Sequence, residues 1–128
     1  MRKLLYIPVM LAFLPPAAQA TDWVKIGSAP NGMTAYYDRD TAKSADARVD
    51  AWDRIVYPSA QTLGGATFRR VHSHYDIDCL QRTVNTLGVE LYDADDTLVK
   101  TLTPDPAAVP VNPQSPAGAI GKLYCQNW

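Results

Sequence analysis

His72 and His74 stand two residues apart in a run of alternating character, with Asp76 and Asp78 continuing the same phase. On an extended strand such residues project from one face, with successive members about 7 Å apart. Two imidazoles followed by two carboxylates are the donor types of a first-shell metal site, so His72 and His74 are the residues a metal would take. Neighbours along a single strand rarely converge on one ion without a ligand from the next strand. The row is therefore read as a solvated polar face, and neither a metal nor another cofactor is expected.

A second oxygen-rich group, Asp93, Asp95 and Asp96, resembles the opening of a calcium loop. The full loop needs glycine at its sixth position and glutamate at its twelfth, where this chain has Leu98 and Pro104. It reads as a hairpin turn. Arg69 and Arg70, with the two histidines nearby, form the basic cluster of the chain, and Arg70, His72 and His74 together are the expected interaction surface. Nucleophilic catalysis finds little support, because there is no G-x-S-x-G elbow and both histidines lie in one strand rather than beside a nucleophile; pairing of carboxylates for acid–base chemistry is not visible in a sequence. No enzyme is expected.

The elements that must position these residues are mostly strands. Phe68 to Cys79 has period two, with Val71, Ser73, Tyr75, Ile77 and Cys79 on one face and Arg70, His72, His74, Asp76 and Asp78 on the other. Trp23–Ile26 and Met33–Tyr37 flank the turn-rich Ala29-Pro30-Asn31-Gly32 and read as a hairpin. Asp38 to Ala47 has no periodicity. Arg48 to Tyr57 is a strand stopping at Pro58, and Ser59 to Ala66 a loop. Thr83 to Tyr92 is a strand with Leu87, Val89 and Leu91 in phase, returning through Leu98 to Leu102. Pro104, Pro106, Pro110 and Pro113 make an extended, non-sheet crossing. Ser115 is the N-cap and Pro116 the first position of a helix to about Cys125, burying Ala119, Ile120, Leu123 and Tyr124, with Gly118 and Gly121 weakening it or allowing close approach. The fold class is α+β: an antiparallel sheet of about six strands flanked by one C-terminal helix.

Compartment is read from the first twenty residues. Arg2 and Lys3 precede an apolar run from Leu4 to Leu14, then Ala18-Gln19-Ala20, which is the pattern of a secretory signal peptide. The run is too short to span a bilayer as a helix. Residues 1–20 are thus a signal, and 21–128 the mature domain, about 108 residues and enough for one core. Without Arg2 and Lys3 the mature chain has 10 basic against 13 acidic side chains, a balance that excludes a basic nucleic-acid stripe. Thr21 follows the cleavage site, not the cysteine of a lipoprotein, so the protein is expected in the periplasm or outside the cell, without a lipid anchor and without a membrane span after cleavage. Cys79 and Cys125 are both in the mature part. Their spacing fits neither C-x-x-C nor a zinc knuckle, and in an oxidising compartment they read as a structural disulfide. A loop of about 47 residues closed in this way is worth around 4 kcal/mol. Trp128 as last residue resembles an outer-membrane barrel terminus, but the proline-rich stretch breaks the strand pattern a barrel needs.

The order of motifs adds a family resemblance. Trp23, Tyr36-Tyr37-Asp38, Val49-Asp50-Ala51-Trp52, Tyr75-Asp76-Ile77-Asp78-Cys79, Leu91-Tyr92-Asp93 and Pro113-Gln114-Ser115 before the closing Cys125 together resemble the surface-adhesin protein E-like domain, over nearly all of the mature chain. The resemblance implies antiparallel strands with one helix, the cysteine pair, and a non-enzymatic module that binds proteins. Its founding member is a lipid-anchored outer-membrane protein that binds vitronectin, laminin and plasminogen and forms dimers. A protein partner, host or envelope, and a homodimer are accordingly expected. The chain departs from that pattern in its missing lipid-accepting cysteine and in having no lysine-rich segment. The alternative is a soluble periplasmic envelope protein with a structural or stress-related role and no adhesion.

Overall fold

The computed structural model describes residues 21–128; the signal peptide read at 1–20 lies outside the described residues. Eight strands and one helix follow in chain order: β1 (Trp23–Ser28), β2 (Thr34–Asp38), β3 (Lys43–Ala45), β4 (Arg48–Leu63), β5 (Ala66–Asp78), β6 (Thr83–Tyr92), β7 (Leu98–Leu102), β8 (Val109–Pro110) and α1 (Pro116–Tyr124). They form one sheet whose main path is β1-β2-β4-β5-β6-β7, every pairing antiparallel, with β3 beside β4 and β8 beside β6. The six-strand path and single C-terminal helix are the architecture expected from the sequence.

Three local expectations are corrected. The chain does not stop at Pro58: β4 continues to Leu63, and Ser59–Ala66 is the far end of a long hairpin rather than a loop. Proline is tolerated there because the register shifts between Val56 and Gln61, a bulge at which no ladder N–H is needed. The Arg69 side chain donates to the carbonyls of Tyr57 and Pro58, at 3.2 and 2.6 Å, and so occupies acceptors the bulge leaves free. Gly64 and Gly65, at φ +54° and +79°, then close the hairpin in the backbone region a tight two-residue turn demands. Within Asp38–Ala47, expected to be irregular, β3 pairs with the start of β4 across Asp46 and Ala47, both at positive φ. In the proline-rich crossing, Val109 and Pro110 pair with Val84 and Thr83. Both are two- or three-residue additions, too short for periodicity to register.

The helix starts as its sequence dictates. Ser115 caps it by accepting from the Gly118 N–H at 3.2 Å, with proline at the first position. Its buried face is rotated from the expected one. Ala117, Gly118, Ile120 and Gly121 are buried, Tyr124 is half-buried, and Leu123 stays 57% exposed. The glycines allow close approach: a Cβ on Gly118 would stand 2.5 Å from the Asn112 carbonyl oxygen, and one on Gly121 would collide with the Trp128 ring. Gly118→Ala is therefore expected to lower stability by about 1–3 kcal/mol, against the usual helix preference for alanine; chemical denaturation of both forms measures it.

The helix lies on one face of the sheet, where Tyr37, Val49, Ala51, Ile77 and Val84 meet Ala117, Ile120 and Cys125. The Cys79–Cys125 disulfide forms, with Cα atoms 5.5 Å apart, and ties the end of α1 to the end of β5. Trp128 Nε1 donates to the Cys79 carbonyl at 3.0 Å, so the last residue seals the same corner. That role is structural, and among the described residues the sheet closes no barrel path: β1 and β7 are its edges.

Candidate functional site

On the face opposite the helix, strand alternation gathers Trp52 and Arg54 from β4, Arg70, His72 and His74 from β5, and Glu90 and Tyr92 from β6. The register sets Trp52 against His74, Arg54 against His72, and His72 against Glu90. The expectation that Arg70, His72 and His74 share a face is met, yet the face is not simply bathed in water.

His72 packs between the rings of Trp23 and Tyr92, with centroids 4.9 and 4.3 Å away. Burial, followed by the charge of Arg54, lowers its pKa to about 4, so the imidazole is neutral at physiological pH. Its Nε2 is buried without a hydrogen-bond partner, as are the Nε atoms of Arg54 and Arg70. His74 is stacked flat on Trp52, 4.6 Å between centroids and 3° between planes, and its Nε2 lies 2.9 Å from the Asp50 carboxylate. The two histidines thus have separate surroundings. Asp76, the next in the row, is engaged by Arg48 at 2.7 Å, and Asp78 by the same guanidinium at 3.5 Å. Among the described residues no group of three or more His, Cys, Asp or Glu is placed to hold a metal ion.

Arg70 and Arg54 converge on one carboxylate. Asp96, in the β6–β7 turn, accepts from Arg54 at 2.9 Å and from Arg70 at 2.5 Å, and Arg70 also donates to the Ala94 carbonyl at 3.1 Å. The guanidinium of Arg54 lies 5.6 Å from the centre of the Trp23 ring. The acidic turn is therefore organised by protein donors: Asp93 accepts from the backbone N–H groups of Asp95 and Thr97, while Asp96 holds the arginines. This is a hairpin turn, as its missing glycine and glutamate indicate. The outcome is a half-buried surface of alternating aromatic rings and cations, the side-chain types that dominate binding energy at protein interfaces.

Two features of the molecule escape a reading by motif. Asp53 is fully buried on the helix side of β4, accepting from the Ser73 N–H and the Tyr75 hydroxyl, each at 3.0 Å. Burial pushes its carboxyl up to about 7 despite those two donors, and burial followed by the Asp53 charge raises the Tyr75 phenol. The signal was present, since Asp53 continues the Val49, Ala51 phase. The other is a groove of about 780 Å³ between α1 and the β1–β2 hairpin, which exists only because the helix covers part of the sheet face.

The sequence pattern of the family described as surface-adhesin protein E matches residues 23–126, from the first strand to the residue after the closing cysteine. The chain belongs to that family. A crystal structure of Haemophilus influenzae protein E superposes with a TM-score of 0.60 at 12% identity, covering 87% of this chain and 95% of that one. No curated protein sequence matches the chain. At 12% identity the structural likeness concerns the fold: an adhesin-family sheet with its C-terminal helix. The family is one of surface adhesins, not a known family of enzymes, and no helix among the described residues is long and apolar enough to cross a membrane.

Proposed function

We propose that residues 21–128 are an exported, non-enzymatic module that binds a protein partner through the sheet face opposite α1. The observation carrying this reading is the aromatic and arginine cluster of Trp23, Trp52, Arg54, Arg70 and Tyr92 on that face, in a chain of an adhesin family. The partner is a host matrix or plasma protein, as the family resemblance implies, met at the cell surface; the cysteine pair keeps the sheet intact in that oxidising setting. Self-association into a homodimer belongs to the same proposal.

Protease shaving of intact source cells tests the location. Loss of the protein from unbroken cells supports the adhesin reading; protection until the outer membrane is breached overturns it in favour of a periplasmic envelope role. Trp52→Ala and Arg70→Ala test the face. Each is expected to weaken capture on immobilised host matrix or plasma protein by about 30-fold, the effect of losing an interface hot spot. Replacing His72 and His74 by glutamine leaves capture in place. A chain whose capture survives both of the first two changes binds elsewhere.

A further inference from the structure

We propose that the groove between α1 and the β1–β2 hairpin binds a free single-chain amphiphile with an anionic head, a fatty-acid carboxylate. The groove lies on the helix side of the sheet and is independent of the protein-binding face. Ile26, Met33, Ala35 and Ile55 supply its sheet wall, and Ala119 and Leu123 its helix wall. Its volume of about 780 Å³ is that of sites for small organic ligands, roughly 300–1,000 Å³. Apolar atoms make up most of the lining, with Ser28, Thr34, Gln114 and Ser115 adding polar ones, and Leu123 is 57% exposed although it sits beside other apolar side chains, surface that an acyl chain would remove from water.

Charge decides the head group. Lys25 and Lys122 line the groove and no carboxylate among the described residues does; pairing with Tyr36, and through it Arg54, turns the Lys25 side chain to the opposite face, so Lys122, which takes part in no ion pair among the described residues, is the cation that reaches the groove. This is unusual in a chain with more acidic than basic side chains. Lys122 stands in the last turn of α1 with its ammonium free for an incoming carboxylate. Size argues against a protein here, because a standard interface takes about 800 Å² from each partner and the exposed lining of the groove is a fraction of that. A single chain with one charged end fits a groove with Ile26, Met33, Ala35, Ile55, Ala119 and Leu123 on its walls and Lys122 at its helix rim.

Titration calorimetry of the purified protein with decanoate and dodecanoate, each below its micelle concentration, tests the proposal. Saturable one-site binding is expected, tighter for dodecanoate by about 5- to 15-fold, the effect of two more buried methylenes. Lys122→Gln is expected to weaken dodecanoate by about two- to fivefold, as for an exposed ion pair, and to leave dodecanol unchanged. Ala119→Trp fills the groove from an outward helix position and should abolish both. Absence of saturable heat, or affinity independent of chain length, overturns the proposal. So does unchanged binding in a folded Ala119→Trp protein. Capture by anionic phospholipid vesicles without binding of the monomeric carboxylates assigns the groove to a membrane surface instead. A dimer that Ala119→Trp dissociates, with no carboxylate binding, assigns it to a second copy. Should Ala119→Trp fail to fold, the chain-length series and Lys122→Gln remain decisive, because Lys122 is exposed.

Discussion

Replacing Cys79 and Cys125 together by alanine is expected to lower the unfolding free energy by about 4 kcal/mol and the midpoint of thermal unfolding by about 15–30 °C. The disulfide spans a sequence separation of 46 residues, so reduction frees a long loop in the unfolded chain while removing few contacts from the folded one. The position magnifies the effect. Cys125 is buried at the end of α1, and the helix is only nine residues long, too short to hold itself together in water. Its last turn is anchored by the disulfide to β5 and by the Trp128 indole to the Cys79 carbonyl. Calorimetry of the wild-type and double-alanine proteins measures the difference. A loss under about 1 kcal/mol would mean that packing of Ile120 and Ala117 alone fixes the helix. For a domain with a total stability of about 5–10 kcal/mol, the expected loss leaves little reserve at body temperature.

Legibility in the sequence followed how strongly each feature imprints on residue order. The face-sharing of Arg70, His72 and His74 was readable because β5 is long and alternates without interruption up to its end. The continuation of β4 past Pro58 was not, because proline ordinarily ends a strand and the bulge that accommodates it depends on Arg69 from the partner strand. The same limit applies in β6. Leu87 shares the phase of Val89 and Leu91 in the sequence, yet the register slips opposite His74 and Tyr75, and Leu87 is left 48% exposed. Alternation cannot reveal such a bulge, because one extra residue reverses the phase without any change in residue type. The helix face differs from the expected one for a related reason: Gly118 and Gly121 are contact points, whereas side-chain hydrophobicity points to Leu123 and Tyr124. The partners of the expected interaction residues, Trp23, Arg54 and Asp96, come from three other segments, and only pairing brings them together. The groove has no sequence signature at all, since it is the part of a sheet face that a short helix fails to cover.

The pH dependence of stability is expected to be shallow in the wild-type protein and to acquire opposite slopes in two single variants. Asp53 has a folded-state pKa of about 7 against an ordinary 3.8, because burial disfavours its charge. Between those values the folded protein keeps a proton that the unfolded chain has lost. Its contribution is therefore complete below about pH 4, falls as pH rises, and is gone above about pH 7; for a group with no exposed surface it amounts to about 3–4 kcal/mol. His72 runs the other way. Its pKa is lowered from 6.5 to about 4 by burial and by Arg54, with Arg70 adding to the shift and Glu90 and Asp96 opposing it. The unfolded chain takes up a proton that the folded one refuses, so this contribution is complete above about pH 6.5 and is lost as pH falls towards 4. Partial exposure screens it, and it is worth about 2 kcal/mol. Across pH 4–6.5 the two slopes oppose each other. Asp53→Asn removes the first and should leave stability rising with pH; His72→Gln removes the second and should leave stability falling. Urea unfolding at pH 4.5, 5.5, 6.5 and 7.5 for the three proteins measures the slopes. Because the readout is the slope, the hydrogen bond from Ser73 or Tyr75 that asparagine accepts less well shifts all points alike and does not obscure the result. Parallel profiles for wild type and Asp53→Asn would show that Asp53 is ionised throughout, its charge held by the Ser73 N–H and the Tyr75 hydroxyl.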